Sequence, residues 1–177
     1  RGRPSRKEVA SRRTVAMANR MFRQRPGRTR RTSLIGTPSS EAENPRLQLD
    51  KRTRKLDAHD YGDSWASLEG DGDWMIITWG SCTAAVREAV RRWHEDGGRA
   101  RMLSIRLLSP VQPKKFAQAL RGVSRALVVE QSHSAQFYRY LRAFYELPGH
   151  CDVLHRPGPL PFRPGEIVEQ LAGWNRA

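Results

Sequence analysis

The chain has 177 residues, 38% of them hydrophobic, with a mean hydropathy of −0.70 and a formal charge of +14. That length holds one ordinary domain and a tail. No apolar run reaches the roughly 18 residues of a membrane span, and the charged N-terminus lacks the apolar core of a secretory signal. The only cysteines, Cys82 and Cys151, are far apart in sequence. They cannot supply a four-thiolate iron–sulfur cluster and speak against a disulfide framework, so a cytoplasmic setting is expected.

Along the chain the charge is uneven. Residues 1–35 carry 12 Lys/Arg against Glu8 alone, whereas residues 36–177 carry 20 against 17 acids. A basic lead therefore precedes a nearly balanced remainder. Residues 1–33 show almost no hydrophobic periodicity and are interrupted by Pro4, Pro26 and Gly27, so this lead is expected to be poorly ordered. The chain opens at Arg1 without a methionine and reads as a fragment. Residues 36–72 read as a connector, with a charged helix over "PRLQLDKRTRKLDAH" that carries Leu47, Leu49 and Leu56. At its end "EGDGDW" (69–74) reads as a polar turn into the first strand.

Residues 73–177 read as an α/β domain. "WMIITWG" (74–80) is a short apolar strand, and "CTAAVREAVRRWHEDGG" an amphipathic helix. Ser81 is the expected N-cap of that helix and Gly97 or Gly98 its stop. Strands follow over residues 100–108, 125–131 and 151–156, and helices over 113–123, 134–147 and 164–174, the last with Pro at its start. The alternation predicts a three-layer αβα fold with a mostly parallel sheet. Ligands of such sheets gather at the carboxyl ends of the strands.

Three turns carry possible chemistry. In "TWGSCTAAV" a helix N-terminus follows a strand, which suits an anion weakly and a structural cap better. Cys82 there is either a stabilised thiolate or a small buried side chain. "VVEQSHSAQFYRY" sets Glu130, Ser132, His133 and Gln136 in one strand-to-helix turn, fit for acid–base work or, better, for positioning. Ser81, Glu130, Ser132, His133, Gln136, Arg139 and Arg156 are the candidates for interface or positioning roles. No catalytic or metal-ligating residue is assigned. Phe137, Tyr138, Tyr140, Leu141, Phe144 and Tyr145 cover more than one helix face and suggest burial against another chain or domain. The rival reading is a small nucleic-acid-binding module using the arginine-rich arm through phosphate contacts.

The blocks "EGDGDWMIITWGSCTAAVREAV", "IRLLSPVQP", "ALVVEQSHSAQFYRYLRA" and "RPGPLPFRPGEI" resemble the C-terminal domain of the α subunit of 2-oxoacid:ferredoxin oxidoreductases, nearest to the two-subunit, 2-oxoglutarate type. The resemblance covers roughly Gly36 to Trp174. It implies a transketolase C-terminal-domain-like fold that supports subunit assembly, and no cofactor held by this chain itself. The implied parent complex uses thiamine diphosphate, Mg, an iron–sulfur cluster and CoA to convert a 2-oxoacid to an acyl-CoA. The implied partners are a β subunit and, through the hetero-oligomer, ferredoxin; a membrane is not among them. The chain departs from the family pattern at Cys82 and Ala84, which replace Thr and Gly, and at Ser132 and Ala135, which replace Asn and Gly. Residues 1–33 do not resemble the family's preceding domain, and a shifted reading frame would produce such a stretch.

Overall fold

The structure, a computed structural model, describes residues 43–175; the expectations for the basic lead fall outside them. Two units are separable, one ending at Ala58 and one beginning at His59. In the first, helix α1 spans Glu43–Asp57, starting and ending two residues before the charged helix expected over residues 45–59. Glu43 in its first turn and Arg54 and Lys55 in its last complement the helix dipole.

The second unit is the α/β domain. Its strands are β1 (Ala66–Gly70), β2 (Trp74–Trp79), β3 (Arg101–Ile105), β4 (Arg125–Glu130) and β5 (His150–His155). Its helices are α2 (Thr83–Glu95), α3 (Pro113–Ala119), α4 (Gln136–Phe144) and α5 (Pro164–Trp174). The sheet order is β1-β3-β2-β4-β5, with every pairing parallel except β1 with β3. The expected mostly parallel α/β sheet is present, with an antiparallel strand added at one edge.

That strand lies in the stretch expected to be a connector, so the sheet begins at Ala66 rather than after residue 73. "ASLEG" is short and half polar, and its pairing partner lies more than thirty residues away. Nothing local marks it. Ser67 and Glu69 alternate with Ala66 and Leu68, as a strand at a sheet edge allows.

The central strands read as largely apolar runs, interrupted by Thr78 and Ser104, because both faces are covered. On one face Met75, Ile77, Leu103, Ala126 and Val128 pack beneath Phe116 of α3 and Phe137 and Leu141 of α4. On the other, Ile76, Met102, Leu127 and Val129 meet Val86, Ala89 and Trp93 of α2 and Ile167 and Leu171 of α5. The aromatic helix α4 is thus spent mainly inside its own domain. Phe137, Leu141 and Tyr145 are buried, Tyr145 stacks on Phe116 at 4.2 Å, and Phe144 stays exposed. The expectation that these aromatics are buried against another chain or domain fails for the inner residues, which pack within this domain between α3 and the sheet.

Helix α2 ends as expected. Gly97 has φ +83° and the Gly98 amide donates to the Trp93 carbonyl at 2.8 Å. A Cβ on Gly98 would lie 2.2 Å from the Trp93 ring, so this position admits no side chain. Its start differs. A 3₁₀ turn over Gly80–Cys82 leads into the helix, Cys82 holds the N-cap place, and no side chain caps it. Ser81 therefore lies one residue too early to be the cap.

Candidate functional site

The chain leaves β2 toward the α2 face and leaves β4 toward the α4 face. The two neighbouring strands thus diverge at their carboxyl ends, the place where open α/β sheets form a crevice. The Gly80–Cys82 turn and the Gln131–Ala135 turn flank it. Trp79, at the end of β2, packs on Phe137 in the first turn of α4, with ring centroids 5.8 Å apart.

Glu130 organises the far side. It is the last residue of β4 and is 1% exposed. Its carboxylate accepts from the Phe137 amide and the Tyr138 amide, both at 2.8 Å, and from the Ser132 hydroxyl at 2.6 Å. The Ser132 hydroxyl in turn accepts the Gln136 amide at 3.1 Å. Three orphan donors of the first turn of α4 are thus satisfied by the chain's own side chains. A buried carboxylate with charge-assisted partners is stable here, and the same bonds close this helix end to any external anion. The turn is completed by Ala135 in the left-handed region, at φ +50° and ψ +50°. This is the position where the family pattern has Gly, and here a Cβ is carried at a steric cost.

The remaining candidates fall in different places. His133 and Arg139 are exposed, and their side chains make no hydrogen bond or ion pair with a described residue. Ser81 is exposed in its turn. Arg156 is folded back: it grips Glu166 bidentately at 2.8 and 3.0 Å, donates to the Pro161 carbonyl at 2.7 Å and lies 4.3 Å over the Phe162 ring. The Arg156 guanidinium, with the Arg163 amide, holds the Glu166 carboxyl below its ordinary range. Arg156 thus shapes the proline-rich turn and is not free to meet a partner.

No pair of serine hydroxyl and histidine forms at this turn among the described residues. Ser132 donates to Glu130, and the His133 ring touches neither. Burial pushes the Cys82 thiol up, against the opposing influence of the Gln131 backbone and Ser81. It is the small buried residue, not the stabilised thiolate. Burial, with the Asp152 carboxylate beside it, pushes Cys151 up to about 11.

Neither the iron–sulfur cluster nor the metal of the implied parent complex fits these residues. Cys82 packs with the α2/α5 face of the sheet and Cys151 with the α3/α4 face, so they cannot share a cluster. The carboxylates of the Asp71-Gly72-Asp73 turn lie at the amino end of β2. Asp71 is paired with Arg99, and Asp73 accepts the Ser124 hydroxyl at 2.5 Å. Among the described residues no group of three or more His, Cys, Asp or Glu side chains could hold a metal.

The sequence reading passed over the other side of β2. There a pocket of about 400 Å³ is lined by Trp79, Gly80, Thr83, Arg87, Ser104, Ile105 and Arg106. Arg87 pairs with Glu69 at 2.7 and 2.8 Å, which holds that carboxyl at about 2. Ser104 gave no sequence signal, because a single hydroxyl inside "RMLSI" is indistinguishable from a tolerated strand polar.

No protein-family model matches the chain. A curated relative, subunit alpha of 2-oxoacid:ferredoxin oxidoreductase 2 of Aeropyrum pernix, is 32% identical over 83 residues, 47% of this chain. The chain spans 12% of that relative's length. Among solved structures, the 2-oxoglutarate:ferredoxin oxidoreductase from Magnetococcus marinus aligns with a TM-score of 0.64 at 26% identity, over 84% of this chain and 27% of that one. That structure holds 2-oxoglutarate, coenzyme A and succinyl-CoA. A split-gene transketolase aligns at 15% identity with a TM-score of 0.49, over 66% of this chain and 43% of that one.

Proposed function

We propose that this chain, a relative in sequence and in fold of the α subunits of 2-oxoacid:ferredoxin oxidoreductases, is an assembly domain of such an enzyme. The complex would decarboxylate a 2-oxoacid oxidatively with thiamine diphosphate and Mg, form the acyl-CoA, and pass electrons through an iron–sulfur cluster to ferredoxin. A 2-oxoglutarate-type, two-subunit enzyme is the closer reading, with a β subunit as partner and the cytoplasm as its place. None of these groups is assigned to residues of this chain.

The observation that carries the reading is the state of the crevice. Its one buried carboxylate, Glu130, is fully engaged in capping α4. A group so committed is a poor proton carrier and a good positioning element. The neighbouring exposed residues, Ser81, His133, Gln136 and Arg139, then form a surface for another polypeptide. No described helix is long and apolar enough to cross a membrane. The nucleic-acid alternative depended on residues 1–35, outside the described residues, and the relatives above lend it no support.

Co-expression of the full chain with the cognate β subunit, followed by gel filtration at moderate salt, tests the proposal. A stoichiometric complex is expected. Separate elution at every protein concentration, with both partners folded, would remove it.

A further inference from the structure

The two sides of β2 differ in how their polar groups are used. Toward β4, every donor of the α4 first turn named above has an internal acceptor. Toward β3, donors remain unspent. Two guanidinium groups, Arg87 and Arg106, line the pocket there. Nearby stands one carboxylate, Glu69, whose oxygens already accept two bonds from Arg87 and one from Ser67 at 2.8 Å. Arg106 lies close enough to Glu69 to lower its pKa, yet its guanidinium makes no hydrogen bond with a described residue. The local balance is one positive charge in excess.

The pocket's hydroxyls show the same surplus. The Thr83 and Ser104 hydroxyls are 2.8 Å apart, and Ser104 is 3% exposed. Two hydroxyls own two protons. One is consumed between them, and neither oxygen has another hydrogen-bond partner among the described residues. One O–H donor, on half-buried Thr83 or on buried Ser104, is therefore left without a protein acceptor beside the pocket. Trp79, 43% exposed, forms the wall on the β2 side. A positive surplus, an unspent hydroxyl donor and a concave shape at the carboxyl ends of two parallel strands suit one ligand class.

We infer that the pocket between the carboxyl ends of β2 and β3 binds a small oxyanion, the phosphate or carboxylate group of a metabolite, through Arg106, Arg87 and the Thr83–Ser104 hydroxyl pair. A guanidinium meets either group with two parallel N–H donors, and the free hydroxyl proton supplies a further bond. This site goes beyond the assembly reading and does not depend on it.

The test uses the purified full chain alone. Backbone and indole amide signals are followed by NMR during titration with inorganic phosphate and, separately, with citrate, both at ionic strength held constant with sodium chloride. Saturable shifts confined to Trp79, Thr83, Ser104 and Arg106 are expected, with binding at least about tenfold weaker in Arg106→Gln, since a charge-assisted pair is lost. Thr83→Val, which keeps the side-chain shape and removes one hydroxyl, should weaken binding as well. The tighter of the two anions distinguishes a phosphate from a carboxylate source. Shifts no larger than those caused by sodium chloride, or equal shifts in Arg106→Gln, would overturn the site. Either result leaves complex formation with the β subunit untouched.

Discussion

Glu130 and Ala135 show what the turn after β4 costs and what it achieves. The Glu130 carboxylate replaces water at two amides of the α4 start and at the Ser132 hydroxyl. Glu130→Gln keeps the shape but removes the charge and turns one acceptor into a donor facing donors. We expect a loss of roughly 2–3 kcal/mol, the range for hydrogen bonds to charged groups, measured by urea unfolding. His133→Ala, at an exposed residue without a described partner, should stay within about 0.5 kcal/mol of the parent. Ala135 carries a Cβ in the left-handed region, at about 1–2 kcal/mol relative to a residue without one. Gly loses about 0.5–1 kcal/mol more chain entropy on folding. Ala135→Gly should therefore stabilise by about 0.5–1 kcal/mol, and a fall in the unfolding midpoint would refute the strain. The sequence displayed Glu130 at a strand end, and positioning was the better reading there. It could not display the inward turn of the carboxylate, because the amides it meets are seven and eight residues further on.

Among elements, the strands with both faces covered were legible and the edge was not. "WMIITW" and "ALVV" announce themselves because nearly every residue in them is apolar, Thr78 being the exception that bonds the Val129 carbonyl, whereas β1 is specified by its ladder to Arg101–Ile105. The edge is also tied by charge, since Arg87 of α2 grips Glu69 of β1. The Glu69 carboxyl is held at about 2, against 4.5 when unperturbed, chiefly by that bond. A depressed carboxyl contributes stability that is present above pH 4.5 and is lost as pH falls from there through about 2. Arg87→Ala should return the Glu69 titration toward 4.5, read by carboxyl NMR, and so remove that contribution. An unmoved titration would show that the pair does not persist in solution. Helix α2 offers a packing test. Gly98→Ala drives a methyl into the Trp93 ring, and overpacking of this kind costs typically about 1–3 kcal/mol.

For the whole molecule, the sequence blocks and the fold lead to the same relatives, while the crevice explains why no reaction is assigned to this chain. The aromatics of α4 read as an interface in the sequence and prove to be mostly core. Periodicity alone does not reveal that Phe116 of α3 would stand opposite Tyr145. What remains for a partner is the rim at the carboxyl ends of β2 and β4. Hydrogen exchange of the full chain, alone and mixed with the cognate β subunit, tests this most directly. Protection on mixing should appear at residues 79–82 and 131–139 and leave β5 unchanged. A complex that forms without protecting those turns would place the interface elsewhere, and no change anywhere in the chain would end the assembly reading.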